Sequence, residues 1–328
     1  MRLLKNICVV DTPYALLQYL LMQPMEEIER TKFITSSILS QNITNKLPNN
    51  CLRYYGFDIR NNWRKLLNIR IRRIYEYPSI AWSKVYAQDH LRISAQVIGR
   101  HQYTLIADGP DYLNNYLLRS SPVFEEIKAV SIKDYIKNFL AFSGTIFNHE
   151  YGYNNQCVNR WVVSANDAQL LAHNNIRHTY VDMEKLWKHA SIAQREFIAD
   201  IFELSPDIVN KGKNADVIIL TQPLREDCGL TDEEYLEIYS SEITNNSNVV
   251  IKPHPRDNFD FENYFPNVPI IRTDAPMQLL NYMGIKPKVA VTVCSTSISA
   301  MPSDVNKIML GTKINKKIYD IYGDRFNK

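Results

Sequence analysis

The sequence predicts an α/β chain made of two Rossmann-like halves, and three observations carry that prediction. At the start, the β-branched run Ile7 to Val10 stops at Asp11-Thr12-Pro13, after which Tyr14, Leu17, Leu20 and Leu21 recur at helical spacing. In the second half, short apolar runs at 216–220, 248–251, 268–271 and 289–293 are interleaved with helical stretches at 232–240 and 277–282. That rhythm predicts a parallel sheet covered on both faces. Polar clusters follow three of these runs, and parallel strands bring such clusters to one edge.

Taken in order, Thr12 is placed to cap the first helix with Pro13 at its first position. No GxGxxG fingerprint follows the first strand, which excludes a dinucleotide pyrophosphate site at that turn. Lys32 to Thr35 reads as a second strand, and Gln41 to Asn50 as polar loop. Arg60 to Tyr77 is basic and amphipathic: Trp63, Leu66, Leu67, Ile71 and Ile74 share one helical face, with arginines and a lysine on the others. Such a segment either rests on anionic lipid or packs on the sheet with its basic side in water. Tyr103 to Ala107 is a strand ending at Asp108-Gly109-Pro110-Asp111, where Gly109 lets the chain turn beside the carboxylate. Asp108 is then either a ligand-facing carboxylate or part of the start of a helix from Tyr112 to Leu118. Phe147 to Asn159 reads as loop, and Ile192 to Leu204 as a helix. The expected division is an N-terminal domain over 1–190 and a C-terminal domain over 191–328.

The totals narrow the function. With 328 residues, 45% hydrophobic and 22% charged, the chain has an ordinary globular composition. A net charge of +3 gives no electrostatic case for nucleic acid, and no RNA- or DNA-binding signature occurs. No apolar run reaches the ~18 residues of a membrane span, and the first residues lack a signal peptide's pattern, so a cytoplasmic location is expected. The five cysteines are scattered, never as CxxC, which argues against a disulfide framework or a zinc site.

The chemistry concentrates after the C-terminal strands. In Val249 to Asp257, VVIKPHPRD, three apolar residues give way to a histidine bracketed by Pro253 and Pro255, which hold it on stiff, extended backbone. Lys252 and Arg256 flank His254 with positive charge, an arrangement suited to a phosphate leaving group. The run Ser295-Thr296-Ser297 follows another strand and offers hydroxyls and backbone N–H groups to an anion. Thr221-Gln222-Pro223-Leu224 follows a third, with Asp227 on the loop beyond it. Asp108 or Asp227 could take a proton from an acceptor hydroxyl. Asp232 sits in a TxxE capping box and reads as structural. No paired carboxylates stand at a strand end, so no metal site is expected.

These motifs together resemble the bacterial sialyltransferases of the GT-B type, most closely the group that sialylates lipooligosaccharide, glycosyltransferase family 52. The resemblance rests on Val10 to Tyr14, on Asp108-Gly109, on Thr221 to Leu224 with Lys252 to Asp257, and on the hydroxyl run from Ser295. It implies two Rossmann-like domains facing a central cleft, and transfer of sialic acid, with inversion and without metal, from a cytidine monophosphate (CMP) donor. The acceptor would be a sugar hydroxyl, galactose by expectation, of a lipid-linked surface glycan: lipooligosaccharide, O-antigen or capsule. His254 would be the general acid toward the CMP phosphate, with Asp108 or Asp227 as base. Thr12, Gly109, Gln222, Lys252, Pro253, Arg256, Ser295, Thr296 and Ser297 would bind substrate. A homodimer follows by analogy, and Arg60 to Tyr77 would supply any contact with the inner membrane face. Two positions depart from the family pattern: Ala107 stands where an acidic residue is usual, and Ser-Thr-Ser where a Ser-Ser pair is usual.

Two other classes fit in part. A CDP-glycerol glycerophosphotransferase shares a His-Pro motif, and a non-catalytic glycan-binding or assembly protein could keep the same scaffold.

Overall fold

In a computed structural model, residues 5–36, 38–52, 71, 80–89, 91, 93–94, 101–109 and 157–324 are described. Most of the basic segment Arg60 to Tyr77, Pro110 and Asp111, and the helix expected from Tyr112 lie outside them. The chain forms two compact units, Met1–Ile198 and Ala199–Lys328.

The first unit carries a seven-stranded sheet in the order β3-β2-β1-β4-β5-β6-β7. Its strands are β1 (Asn6–Val9), β2 (Thr31–Thr35), β3 (Cys51–Leu52), β4 (Lys84–Ala87), β5 (Tyr103–Leu105), β6 (Cys157–Val162) and β7 (Thr179–Tyr180). All neighbours pair in parallel. Thr12 caps the helix Pro13–Met22, its side chain accepting from Ala15 N, with Pro13 at the first position. Because that helix is sandwiched, Leu16, Leu17, Tyr19 and Leu20 are all fully buried. Tyr19 packs edge-on to Phe33 of β2 with ring centroids 5.6 Å apart.

The second unit holds a four-stranded parallel sheet in the order β11-β10-β8-β9. Its strands are β8 (Val217–Leu220), β9 (Val249–Lys252), β10 (Val289–Thr292) and β11 (Asn306–Met309). Val217 to Leu220 and Val249 to Ile251 are buried throughout, as continuous apolar runs in a sheet covered on both faces must be. The helix Asp232–Thr244 starts with the anticipated capping box, Thr231 and Glu234 satisfying each other's backbone N–H groups.

Four local readings are corrected. Gln41–Lys46 is a short helix capped by Ser40 rather than loop, and Cys157 already belongs to β6. Asp227 lies in the short helix Leu224–Cys228, not on a loop. The run Val268 to Ile271 forms a single parallel bridge, Ile251 to Ile270, rather than a strand. Pro269 has no N–H to donate, so only its carbonyl, which accepts from Ile251 N at 3.0 Å, joins the pairing.

Candidate active site

Parallel pairing in the second unit brings the carboxyl ends of β9, β8 and β10 side by side. At ~4.8 Å per strand, the ends of β9 and β10 stand roughly 10 Å apart with β8 between them. Thr221 to Pro223, Pro253 to Asp257 and Cys294 to Ser297 therefore share one edge, and hydrogen bonds stitch them together. Thr221 N donates to Lys252 O at 3.2 Å, and Cys294 N donates to Gln222 Oε1 at 3.0 Å. Ser295 caps the 3-10 helix Thr296–Ala300, and its hydroxyl meets that of Ser297 at 2.6 Å. Thr296, the middle member of the run, is exposed.

His254 is half-buried, and its tautomer is fixed by the backbone: Arg256 N donates to Nδ1 at 3.1 Å. A backbone N–H can only donate, so Nδ1 is unprotonated and the imidazole proton sits on Nε2. Burial, then the positive charges of Arg256 and Lys252, push the imidazole below its usual pKa, while Asp257 and Asp227 pull the other way. The neutral ring is thus the resting form, with Nε2–H as its donor. Lys252 is pushed down to about 8 by burial, which Asp274 partly offsets, and its Nζ approaches Thr273 O at 3.5 Å. Pro253 is buried between these two residues.

Arg256 and Asp227 form a two-pronged ion pair, Nη1 to Oδ1 at 3.0 Å and Nη2 to Oδ2 at 2.9 Å. Tyr322 donates its hydroxyl to Asp227 Oδ2 at 3.0 Å. Arg256 above all, with Tyr322, holds the Asp227 carboxyl below the usual carboxylate range.

Asp257 was not singled out from the sequence, yet it is the hub of this edge. Its carboxylate is 3% exposed and accepts from Tyr235 OH at 2.6 Å, from Phe259 N at 3.1 Å and from the Thr221 hydroxyl. Its own N–H donates to His254 O at 2.8 Å, closing the turn that carries the imidazole. The signal available in the sequence was its place at the end of the KPHPRD cluster, two residues after the second proline.

In the first unit, Thr12, Gln88 and Asp108 follow β1, β4 and β5, which are neighbours in the sheet. Thr12 Oγ1 donates to Asp108 Oδ1 at 3.3 Å. The fully buried Gln88 donates from Nε2 to the same oxygen and to Thr12 Oγ1, the latter at 3.2 Å. Gln88 was missed because β4 was missed: KVYA is four residues long and opens on an exposed lysine. Gly109 takes no left-handed φ, and a Cβ there would meet nothing within 4 Å among the described residues, so neither turn geometry nor space requires glycine.

Two groups of anticipated residues therefore stand assembled within their own units: Gln222, Asp227, Lys252, Pro253, His254, Arg256 and Ser295 to Ser297 in one, Thr12, Asp108 and Gly109 in the other. Among the described residues, no cluster of three or more His, Cys, Asp and Glu is placed to hold a metal ion. No described helix is long and apolar enough to cross a membrane.

The architecture and the sequence have relatives. A sialyltransferase GT-B domain from Photobacterium damselae superposes with a TM-score of 0.56 at 14% identity, covering 93% of this chain and 90% of that one. An α/β-galactoside α-2,3-sialyltransferase from Photobacterium phosphoreum gives 0.55 at 13% identity over 92% and 88% of the two chains. An uncharacterized protein of Haemophilus influenzae is 30% identical over 148 residues, 44% of this chain and 48% of the other, so the match spans about half the length of that relative. The superpositions give the fold as GT-B. Residues 33–318, nearly the whole chain, match the sequence model of glycosyltransferase family 52, and the chain belongs to that family.

Proposed function

We propose that this glycosyltransferase moves sialic acid from CMP-sialic acid to a terminal sugar hydroxyl of a bacterial surface glycan, galactose being the preferred acceptor, with inversion at the anomeric carbon. The observation that carries the reading is the His254 imidazole, whose proton is directed to Nε2 on a turn sharing one sheet edge with the Ser295–Ser297 hydroxyls. Membership of family 52 and the likeness to sialyltransferase folds support the choice of donor.

In the proposed reaction the bond from the anomeric carbon to the CMP phosphate oxygen breaks while the acceptor oxygen bonds to that carbon. The acceptor's proton passes to Asp108, and the departing phosphate takes a hydrogen bond from the neutral His254 Nε2–H. Lys252 and the hydroxyls of Ser295 and Ser297 bind the phosphate, and Gln222 holds the Cys294 backbone beside them. Asp108 is preferred to Asp227 as base because Thr12 and Gln88 both aim donors at its Oδ1 and so align the carboxylate. A proton taken by Asp227 would break a charge-assisted pair with Arg256. In this reading Asp227 serves to hold Arg256.

The test is direct. CMP release is measured from CMP-sialic acid with a galactoside acceptor, and from CDP-glycerol in parallel. Release from the sialic acid donor alone supports the reading; release from CDP-glycerol alone overturns it. Binding of a galactoside with no donor turnover and no CMP-induced rise in melting temperature would make the protein a glycan-binding module instead.

A further inference from the structure

We propose that Thr221 and Thr292 are positioning residues, whose hydroxyls fix the His254 turn and the Ser295 turn against the end of one strand. The inference rests on the reading of His254 and the Ser295–Ser297 hydroxyls as the groups that face the donor phosphate. Thr221 directly follows β8 and is 3% exposed, and Thr292 closes β10 at 0%. Filling space does not require a hydroxyl at either place, since valine has nearly the same shape. A buried hydroxyl is costly unless it is bonded, and both of these are.

The two hydroxyls carry on where the backbone ladders stop. Between β8 and β10 the register ends at Ile219 with Val291. One step further the Thr292 hydroxyl, not a backbone N–H, reaches Leu220 O at 2.8 Å. A carbonyl only accepts, so the Thr292 proton is committed there, and its oxygen is left to accept from Ser295 N at 3.3 Å. Ser295 thereby hangs from the end of β8, and its own hydroxyl accepts from Ser297 N at 3.3 Å. On the other flank, the register between β8 and β9 ends at Leu220 with Lys252. Thr221 N then donates to Lys252 O at 3.2 Å, and the Thr221 hydroxyl donates to Asp257 Oδ2. Asp257 N in turn donates to His254 O at 2.8 Å. Leu220 and Thr221 are consecutive, so the imidazole turn and the hydroxyl turn share one reference. Groups on two loops that must meet a single phosphate need it, because a misplacement of ~1 Å can cost on the order of 10²-fold in rate.

The experiment measures kcat for sialyl transfer at saturating donor, and the Kd of CMP by calorimetry, for the full-length parent and for valine and serine at each position. Thr221→Val frees the His254 turn and should lower kcat about tenfold, with the Kd held within about threefold. Thr292→Val frees the Ser295 turn and should raise the Kd about tenfold, with kcat held within about threefold. Thr221→Ser and Thr292→Ser lose a methyl but keep the donor, and both quantities should stay within about threefold of the parent. A role in packing alone reverses that order, and valine variants more active than the serine ones overturn the proposal. Unimpaired valine variants overturn it too, as does an equal loss of kcat and CMP affinity in each. Should a valine variant fail to fold, Thr→Cys at that position replaces it, since a thiol is close in shape to serine but a weak donor. Cysteine must then show the loss expected of valine, and cysteine equal to serine overturns the proposal. If His254→Ala is inactive while the valine variants are unimpaired, the proposal falls and the reading of the site stands. If His254→Ala keeps the parent kcat, both fall together.

Discussion

Arg256 binds both oxygens of Asp227, at 3.0 and 2.9 Å, while its backbone N–H caps Nδ1 of His254. One residue thereby links an acidic side chain of the helix Leu224–Cys228 to the imidazole that follows β9. The pair is largely solvated, the Arg256 side chain being 64% exposed, so it contributes at most about 1 kcal/mol to stability. Asp227→Asn should therefore barely shift the melting temperature and should cost about tenfold or less in kcat. Loss of a general base costs on the order of 10² to 10⁴. A drop in that range would return Asp227 to the base role.

His254→Ala removes the Nε2–H donor and should lower kcat by about 10² or more with the circular dichroism spectrum unchanged. Activity within a few-fold of the parent would remove the histidine from the reaction. Its depressed pKa has a further consequence for stability. Between the folded pKa and 6.5 the unfolded chain binds a proton that the native chain does not. The contribution is present above about pH 6.5 and is lost as pH falls through the folded value. His254→Gln should flatten that part of the curve.

Legibility followed how local each signal was. The runs VIIL, VVIK and VAVT, the Thr12-Pro13 start, the Thr231–Glu234 capping box and the helix Met277–Tyr282 depend on neighbouring residues, and all appear as read. Elements whose stability comes from the rest of the fold were not visible. The strand β4 is four residues long, and β6 carries Asn159 and Arg160 at its centre. The hubs Gln88 and Asp257 were invisible for the same reason, since each bonds to residues many positions away that only the sheet order brings near. Val268 to Ile271 was over-read because an apolar run does not reveal that Pro269 lacks the hydrogen needed to extend the ladder.

Tyr235→Phe tests the second hub. Tyr235 is fully buried, and its hydroxyl reaches the Asp257 carboxylate at 2.6 Å. Hydrogen bonds to charged groups contribute roughly 1.5–3 kcal/mol, so urea denaturation should show a loss in that range. Asp257, whose backbone N–H closes the His254 turn, would also lose a side-chain support, and kcat should fall several-fold. A stability change below about 0.5 kcal/mol would mean that Asp257 finds a replacement donor.

Gly212→Ala sets two effects against each other. Alanine is favoured over glycine inside a helix by about 1 kcal/mol. The added Cβ, however, would stand 2.5 Å from Ile285 Cδ1 and 3.1 Å from Ile271 Cδ1, and both isoleucines are fully buried. Overpacking of this kind costs about 1–3 kcal/mol, so clash should win and the variant should melt below the parent. A more stable variant would mean that Ile285 has room to change rotamer.

Lys252 gives a prediction with two opposite signs. Burial pushes its ammonium down to about 8, so it is charged at pH 7 and roughly tenfold less protonated at pH 9 than at pH 7. If that charge holds the donor phosphate, CMP should bind roughly tenfold more weakly after a rise of one unit above the midpoint. Stability should move the other way. Between about 8 and 10.5 the unfolded chain keeps a proton that the native chain releases, so the native state gains as pH rises through this window. Calorimetric titration with CMP and urea denaturation over pH 7 to 10 read the two trends separately. Lys252→Arg keeps its charge throughout and should abolish both. A CMP affinity that is flat to pH 9.5 in the parent would place Lys252 away from the phosphate, whatever the stability curve does.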